Sequence, residues 1–177
     1  MDVDSLYLYD PEFEPSANNF KKEVGSGGTL YPVKTWNDVK VAVSTYSSVK
    51  LLIFNTHGVP GKVDLPDHSG GDPFDFKTLM PPLTFLNRDA RILFMGCNIG
   101  EGKAGDDFLA EIGRSLLKGK GGIVGASTVV NISFQLGPFS SQEYFQPLSF
   151  GRLKVKRYDA TGAEIGSRTV DRHGITR

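Results

Sequence analysis

The sequence contains one cysteine, Cys97, among its 177 residues. A single cysteine excludes an internal disulfide and a cysteine-rich metal site. The chain also lacks an excess of charge, because 20 Lys and Arg residues balance 20 Asp and Glu residues. Net neutrality removes the general electrostatic attraction that draws a protein to nucleic acid or to an anionic membrane, so neither is an expected partner.

Long apolar runs are absent as well. No stretch approaches the ~20 apolar residues that a membrane-spanning helix needs. The acidic start, Met1 to Asp4, lacks the basic and then apolar order of a signal peptide. These features favour the cytosol, unless the chain is a fragment of a larger secreted protein. With 39% apolar and 23% charged residues the composition is that of a soluble globular protein, and the length predicts one domain over residues 1–177.

Hydrophobic patterning predicts that strands and helices alternate. Apolar runs with the length and composition of buried strands occupy residues 5–9, 49–55, 91–96 and 122–127. Apolar residues recur at helical spacing in residues 36–47 and 104–117, and Asp75 is the expected N-cap of a further helix. The remaining stretches are predicted to be a short strand at 62–65, and loops at 10–31 and 128–150.

The end of the chain predicts a β-hairpin, because residues 152–158 and 163–170 flank the turn sequence Asp159–Gly162. Strands that are joined through helices pair in parallel. The expected fold is therefore a three-layer α/β/α sandwich with a mainly parallel central sheet and a C-terminal β-hairpin.

Two residues that can carry out catalysis follow two of the predicted strands. His57 comes just after the strand at 49–55, and Cys97 comes just after the strand at 91–96. Ligands of open α/β sheets bind at the carboxyl edge of the strands, so neighbouring parallel strands would bring the two residues together. An imidazole can take the proton of a thiol, which makes the sulfur a nucleophile, and can later protonate a leaving amine.

Glycine stands beside both residues. Gly58 lets the backbone approach a substrate without a Cβ in the way, and Gly96 allows a sharp turn that points Cys97 outward. The backbone N–H groups of Gly58 and Cys97 are the expected donors to a tetrahedral oxyanion. Asn98 either stabilises its own turn or orients the substrate.

His-Gly after one apolar strand and Gly-Cys after the next resemble the caspase-like cysteine peptidases of clan CD, which share the caspase–hemoglobinase fold. The stretch Arg91–Ser127 is especially similar to a bacterial branch of these domains, found in large surface proteins and toxins. In that branch a strand leads into Gly-Cys-Asn, a Gly-rich turn and a helix. Here Ile92–Gly100 follows that pattern, and Gly125–Ser127 closes the next strand.

The resemblance implies a cysteine endopeptidase that hydrolyses a peptide bond through a thioester, with no metal and no organic cofactor. His57 would be the general acid–base and Cys97 the nucleophile, acting on a partner protein or on the polypeptide that carries them. The strand after the catalytic cysteine would line the substrate pocket, so Ser127, Thr128 and Val129 are expected to bind substrate, together with Asn98 from the turn. No charged residue lies between Ile123 and Gln142, so a small or apolar substrate side chain is expected.

The same residues are also compatible with other functions. A lone cysteine after a strand is often a buried apolar residue, and the chain would then be a catalytically inert interaction module with the caspase fold. An acyl transferase or thioesterase could use the same dyad of His57 and Cys97. The group that orients the His57 ring is also open, with Asn55 and Thr56 as the nearest candidates in the sequence.

The remaining polar residues have simpler interpretations. His68, a rival base, lies in an expected exposed turn, and a zinc site of His57, His68 and Cys97 matches no usual ligand spacing. The Gly25–Gly28 cluster lacks the lysine and the following helix of a phosphate-binding loop.

One basic cluster is interpreted as a solvated strand face, although some toxin-derived relatives bind inositol phosphate activators through such clusters. Its members are Arg152, Lys154, Lys156 and Arg157.

Overall fold

The computed structural model describes residues 1–79, 84–128, 134–135, 146–147 and 152–171. Eleven strands are assigned within these residues. They are β1 Ser5–Tyr9, β2 Gly28–Pro32, β3 Val49–Asn55, β4 His57–Val59, β5 Lys62–Asp64, β6 Leu86–Phe94, β7 Gly122–Ser127, β8 Phe134–Gln135, β9 Gln146–Pro147, β10 Arg152–Tyr158 and β11 Glu164–Asp171. Four α-helices accompany them: α1 Glu14–Val24, α2 Trp36–Thr45, α3 Pro73–Thr78 and α4 Gly102–Leu116.

Seven strands form one central sheet in the order β2-β1-β3-β6-β7-β10-β11. The first five strands in this order are mutually parallel, whereas β10 and β11 are antiparallel additions at one side. The prediction of a mixed α/β protein with a mainly parallel sheet and a C-terminal β-hairpin is therefore confirmed. The carboxyl ends of β1, β3, β6 and β7 all lie at the same edge.

Helices cover both faces of the sheet, as a three-layer α/β/α arrangement requires. Successive strand residues point to opposite faces, and the buried apolar residues separate into two clusters accordingly. On one face α2, α3 and α4 pack against residues that include Leu52, Phe54, Ile92 and Phe94. On the other face α1 packs through Ala17 and Phe20, and the Phe20 ring lies 4.6 Å from the Tyr7 ring.

Residues 10–31 were expected to be a loop, and that prediction is wrong. They contain α1 and all but the last residue of β2, which pairs with β1 to form one edge of the sheet. The helix has a weak pattern because it buries only two residues, Ala17 and Phe20. Gly28, at the start of β2, lies so close to the side chain of Val24 that any Cβ there would collide with it. Tertiary packing, more than local patterning, therefore determines this segment.

The third helix begins earlier than the sequence indicated. Asp72, and not Asp75, is the N-cap of α3: its side chain accepts a hydrogen bond from the Asp75 N–H, and the Asp75 side chain accepts one from the Asp72 N–H. Such reciprocal bonding makes Asp75 the third residue of a capping box. The prediction for α2 is confirmed, with Thr35 as N-cap and Asp38 as its reciprocal partner.

The loop predicted at 128–150 lies outside the described residues, apart from Thr128 and the short paired strands β8 and β9. None of the described helices is long and apolar enough to cross a membrane.

Candidate active site

The candidate site lies where β1, β3, β6 and β7 end. Parallel pairing sets Ile53 of β3 opposite both Tyr7 of β1 and Leu93 of β6, so the residues that follow these strands emerge side by side. His57 follows β3 and Cys97 follows β6, as the sequence predicted.

His57 is the first residue of a β-strand and not part of a simple turn. β4 pairs antiparallel with β5 in a small hairpin, in which His57 lies opposite Asp64. The Gly61 N–H donates to the Ile99 carbonyl oxygen at 2.9 Å, which ties this hairpin to the turn that holds Cys97. The His57 side chain is 48% exposed, so its ring is open to solvent.

Glu12 holds the imidazole of His57. The Glu12 Oε2 atom lies 2.9 Å from His57 Nε2, and the Phe13 ring lies 4.9 Å from the imidazole ring. An ionised carboxylate can only accept a hydrogen bond, so Nε2 carries the hydrogen in this pair. The neutral ring then has its free lone pair on Nδ1, the nitrogen that is available to take a proton.

The two candidates that the sequence offered for this role are engaged elsewhere. The Thr56 hydroxyl donates to the His57 carbonyl oxygen at 2.9 Å, and the Asn55 side chain bonds to the Tyr7 hydroxyl. Burial raises the pKa of Tyr7 well above its usual range, although the bond with Asn55 opposes the shift. Tyr7 is therefore a neutral neighbour of the site.

The backbones around His57 and Cys97 are in contact. A Cβ on Gly96 would lie 2.8 Å from the His57 carbonyl oxygen, and a Cβ on Gly58 would lie 3.2 Å from the Cys97 carbonyl oxygen. Real Cβ atoms essentially never approach a neighbour more closely than 3.0 Å. Gly96 is therefore required for the close approach of two chain segments, whereas its role in turning the chain stays a prediction. Cys97 itself is a half-buried free thiol.

The turn after Cys97 is fixed to the next strand. The Gly100 N–H donates to the Ser127 carbonyl oxygen at 2.7 Å. Asn98 has a φ of +57°, a left-handed conformation that asparagine tolerates better than most residues, and its carbonyl oxygen accepts from the Glu101 N–H at 2.8 Å. Asn98 thus has the turn-stabilising role, and a contact with substrate stays a prediction.

The expected pocket strand is only partly described. Ser127 is fully buried, so its side chain presents no open surface here. Thr128 is half-buried and donates both its N–H, at 2.9 Å, and its hydroxyl, at 3.1 Å, to the Arg152 carbonyl oxygen. Val129 lies outside the described residues. The assignment of Ser127, Thr128 and Val129 to substrate binding stays a prediction.

Asp10 and Glu12 are the site residues that the sequence analysis missed. Asp10 follows β1 at the same edge, is only 5% exposed, and accepts a hydrogen bond from the Glu12 N–H at 2.9 Å. Asp10, Glu12 and His57 each bring one ligand atom to within 4.8 Å of the others. The position of Asp10 directly after an apolar strand indicates a site residue, just as the positions of His57 and Cys97 do.

The other candidates in the sequence lie in different surroundings. His68 Nδ1 pairs with Asp64 Oδ1 at 2.9 Å on the exposed surface. The solvated-face interpretation of the basic cluster is wrong for two of its lysines: Lys156 is buried between Asp106 and Glu164, and Lys154 Nζ lies 3.0 Å from Asp106 Oδ1. Both lysines point towards α4 because they alternate with Leu153 and Val155, which are buried on the opposite face of the sheet.

Comparison of the chain with protein-family models, with curated proteins and with solved structures finds no match. A function must therefore be inferred from the arrangement of the residues themselves.

Proposed function

We propose that the protein is a caspase-like cysteine endopeptidase in which Cys97 is the nucleophile and His57 the general acid–base. The observation that carries the proposal is the backbone contact between His57–Gly58 and Gly96–Cys97 at the carboxyl edge of a parallel sheet. The caspase-like form of the α/β/α fold belongs to the same proposal. It is supported by β3 and β6, which are parallel neighbours followed by His-Gly and Gly-Cys respectively.

The reaction begins when His57 Nδ1 takes the proton of the Cys97 thiol and the sulfur attacks the substrate carbonyl carbon. The backbone N–H groups of Gly58 and Cys97 stabilise the oxyanion that forms. His57 returns the proton to the leaving amine as the carbon–nitrogen bond breaks, which leaves a thioester on Cys97. His57 then takes a proton from a water molecule, which attacks the thioester and releases the acid product.

Glu12 supports this chemistry through the ring of His57. Its bond to Nε2 fixes the tautomer and stabilises the imidazolium that forms during each proton transfer. Glu12 is a positioning residue, because the proton passes through Nδ1. The substrate is a protein partner or the chain's own polypeptide, and a small or apolar side chain is the preferred residue before the cut.

Alkylation of Cys97 by iodoacetamide near neutral pH tests the proposal. His57→Ala should slow the reaction by about tenfold or more, since a thiol without an activating base is only a few per cent thiolate near neutral pH. The Cys97→Ser variant identifies the labelled thiol, which is the only one in the chain.

Equal alkylation rates in the unchanged protein and in His57→Ala would favour the inert interaction module. A peptide panel and an acyl-thioester panel then separate the remaining functions. Turnover of acyl thioesters without cleavage of any peptide would replace the peptidase with an acyl transferase or thioesterase.

A further inference from the structure

The side chains of Asp10, Glu12 and His57 form the one group of three potential metal ligands found among the described residues. They come from two separate parts of the chain: the turn after β1 and the start of β4. One imidazole nitrogen and two carboxylate oxygens are a ligand set that suits Zn²⁺ and similar divalent transition cations. The two carboxylates also balance the charge of such an ion.

Part of this cluster is preorganised. Asp10 is 5% exposed, its N–H donates to the Asn55 carbonyl oxygen at 2.9 Å, and its Oδ1 accepts from the Glu12 N–H. The carboxylate therefore has a fixed place at the edge of the sheet. The side chains of Glu12 and His57 are 69% and 48% exposed, so Glu12 can turn in solvent while the His57 ring stays beside the Phe13 ring.

The distances need only small adjustments. Ligand atoms that surround a tetrahedral zinc ion at 2.0–2.2 Å lie about 3.4 Å from each other. Here the Nε2 and Oε2 atoms of His57 and Glu12 are 2.9 Å apart, and the three ligand atoms all lie within 4.8 Å. The exposed side of the cluster leaves the fourth coordination position for water.

We propose that Asp10, Glu12 and His57 bind a divalent transition cation of the Zn²⁺ type, and that the cation competes with Cys97 for the imidazole. A metal on Nε2 needs the lone pair of that atom, so the hydrogen moves to Nδ1. With Nδ1 protonated and the ring held by metal, His57 cannot take the thiol proton. The inhibition depends on the peptidase function proposed above, whereas the binding does not.

A matched control is present on the same hairpin. His68 and Asp64 also form an imidazole–carboxylate pair at 2.9 Å, but no third ligand joins them within the described residues. If any exposed His–carboxylate pair were sufficient for binding, this pair would bind a cation equally well.

Isothermal titration of Zn²⁺ into the chelator-treated full chain tests the site. We expect one ion per chain, and at least about tenfold weaker binding in Asp10→Asn. Asp10 caps the short 3₁₀ turn Pro11–Phe13, and asparagine caps such a turn as well as aspartate does, so this variant keeps the local fold. His68→Asn, a change that the left-handed backbone at position 68 tolerates, should leave the Zn²⁺ affinity unchanged.

Three results would overturn the proposal: no Zn²⁺ binding by the unchanged chain, unchanged affinity in Asp10→Asn, or loss of binding in Cys97→Ser. The last would mean that the thiol, and not the carboxylates, holds the metal.

The metal site and the peptidase function can be tested separately. Zn²⁺ binding by a chain without peptidase activity would support the metal site and reject the proposed function. In an active enzyme, Zn²⁺ should slow alkylation of Cys97, and Asp10→Asn should need at least about tenfold more Zn²⁺ for the same effect.

Discussion

The backbones of Gly96 and His57 are in contact, and a Cβ on Gly96 would collide with the His57 carbonyl oxygen. Gly96→Ala should therefore push the Cys97 turn away from the hairpin that begins at His57. We expect a loss of about 1–3 kcal/mol in the free energy of unfolding, together with slower alkylation of Cys97. Thermal unfolding and the iodoacetamide rate measure the two effects.

Gly166→Ala is the matched control for this substitution, because nothing lies within 4 Å of a Cβ at that position of β11. It should leave both the unfolding free energy and the alkylation rate close to those of the unchanged protein. If Gly96→Ala behaves like this control, the close approach of the two segments is not needed for stability or reactivity.

Glu12→Gln should lower kcat and leave KM unchanged, because the amide can no longer stabilise an imidazolium that forms only during reaction. We expect a fall in kcat of about 10- to 100-fold, smaller than the ~10⁴-fold loss at a buried triad aspartate. The smaller effect follows from the solvent exposure of Glu12. Steady-state kinetics on a cleaved peptide measure the change.

Asp64→Asn is the control for the Glu12 substitution, since it makes the equivalent change from carboxylate to amide beside His68. This variant should keep the kcat of the unchanged enzyme. A kcat that falls equally in both variants would assign the effect to general surface charge and would reject positioning by Glu12.

Phe76 lies at the centre of the aromatic cluster on the face that α2 and α4 cover. Its ring makes edge-to-face contacts with four other aromatic rings, at centroid distances of 4.9–5.6 Å. These rings belong to Trp36, Phe54, Phe94 and Phe108. Phe76→Ala should cost about 3–5 kcal/mol of unfolding free energy, because it leaves a cavity in a closely packed core. Urea unfolding measures the loss.

Phe74, on the same short helix, provides the comparison for Phe76 because it is 69% exposed. Phe74→Ala removes the same atoms from water rather than from the core, and we expect a change within about 0.5 kcal/mol. Similar losses in the two variants would mean that α3 contributes through helix formation and not through burial of Phe76.

Asp38, in the capping box of α2, makes a contribution to stability that depends on pH. Partial burial acts to raise the pKa of Asp38, but hydrogen bonds from the Lys34 and Thr35 N–H groups outweigh it and hold the pKa below its ordinary 3.8. A lowered folded-state pKa gives stability that is present above the unfolded value and is lost as the pH falls through the folded value.

The unfolding free energy of Asp38→Asn measures this contribution of Asp38. The difference from the unchanged protein should be larger at about pH 6 than at about pH 3, which lies below the ordinary value of 3.8 at which the unfolded chain binds the proton. A difference that is the same at both values of pH would assign the role of Asp38 to shape alone.

The sequence predicts most of the central sheet because its inner strands are buried on both faces. Such strands form continuous apolar runs, as residues 49–55 and 122–127 do, and their order along the chain locates His57 and Cys97 at strand ends. The helix α1 is not predicted from the sequence because Ala17 and Phe20 are its only buried residues. The role of Glu12 is not predicted from the sequence because its partner His57 lies 45 residues away. No periodic pattern in a sequence indicates an exposed ion pair.

Thr128 and Arg152 are joined by two hydrogen bonds, so the end of β7 lies beside the start of β10. From there β10 pairs with β7 through six residue pairs, from Leu153–Ser127 to Tyr158–Gly122. The hairpin of β10 and β11 is thus attached to the sheet by its own ladder. Because this ladder joins the two parts of the chain directly, we expect the two pieces of a chain cut between Thr128 and Arg152 to stay together.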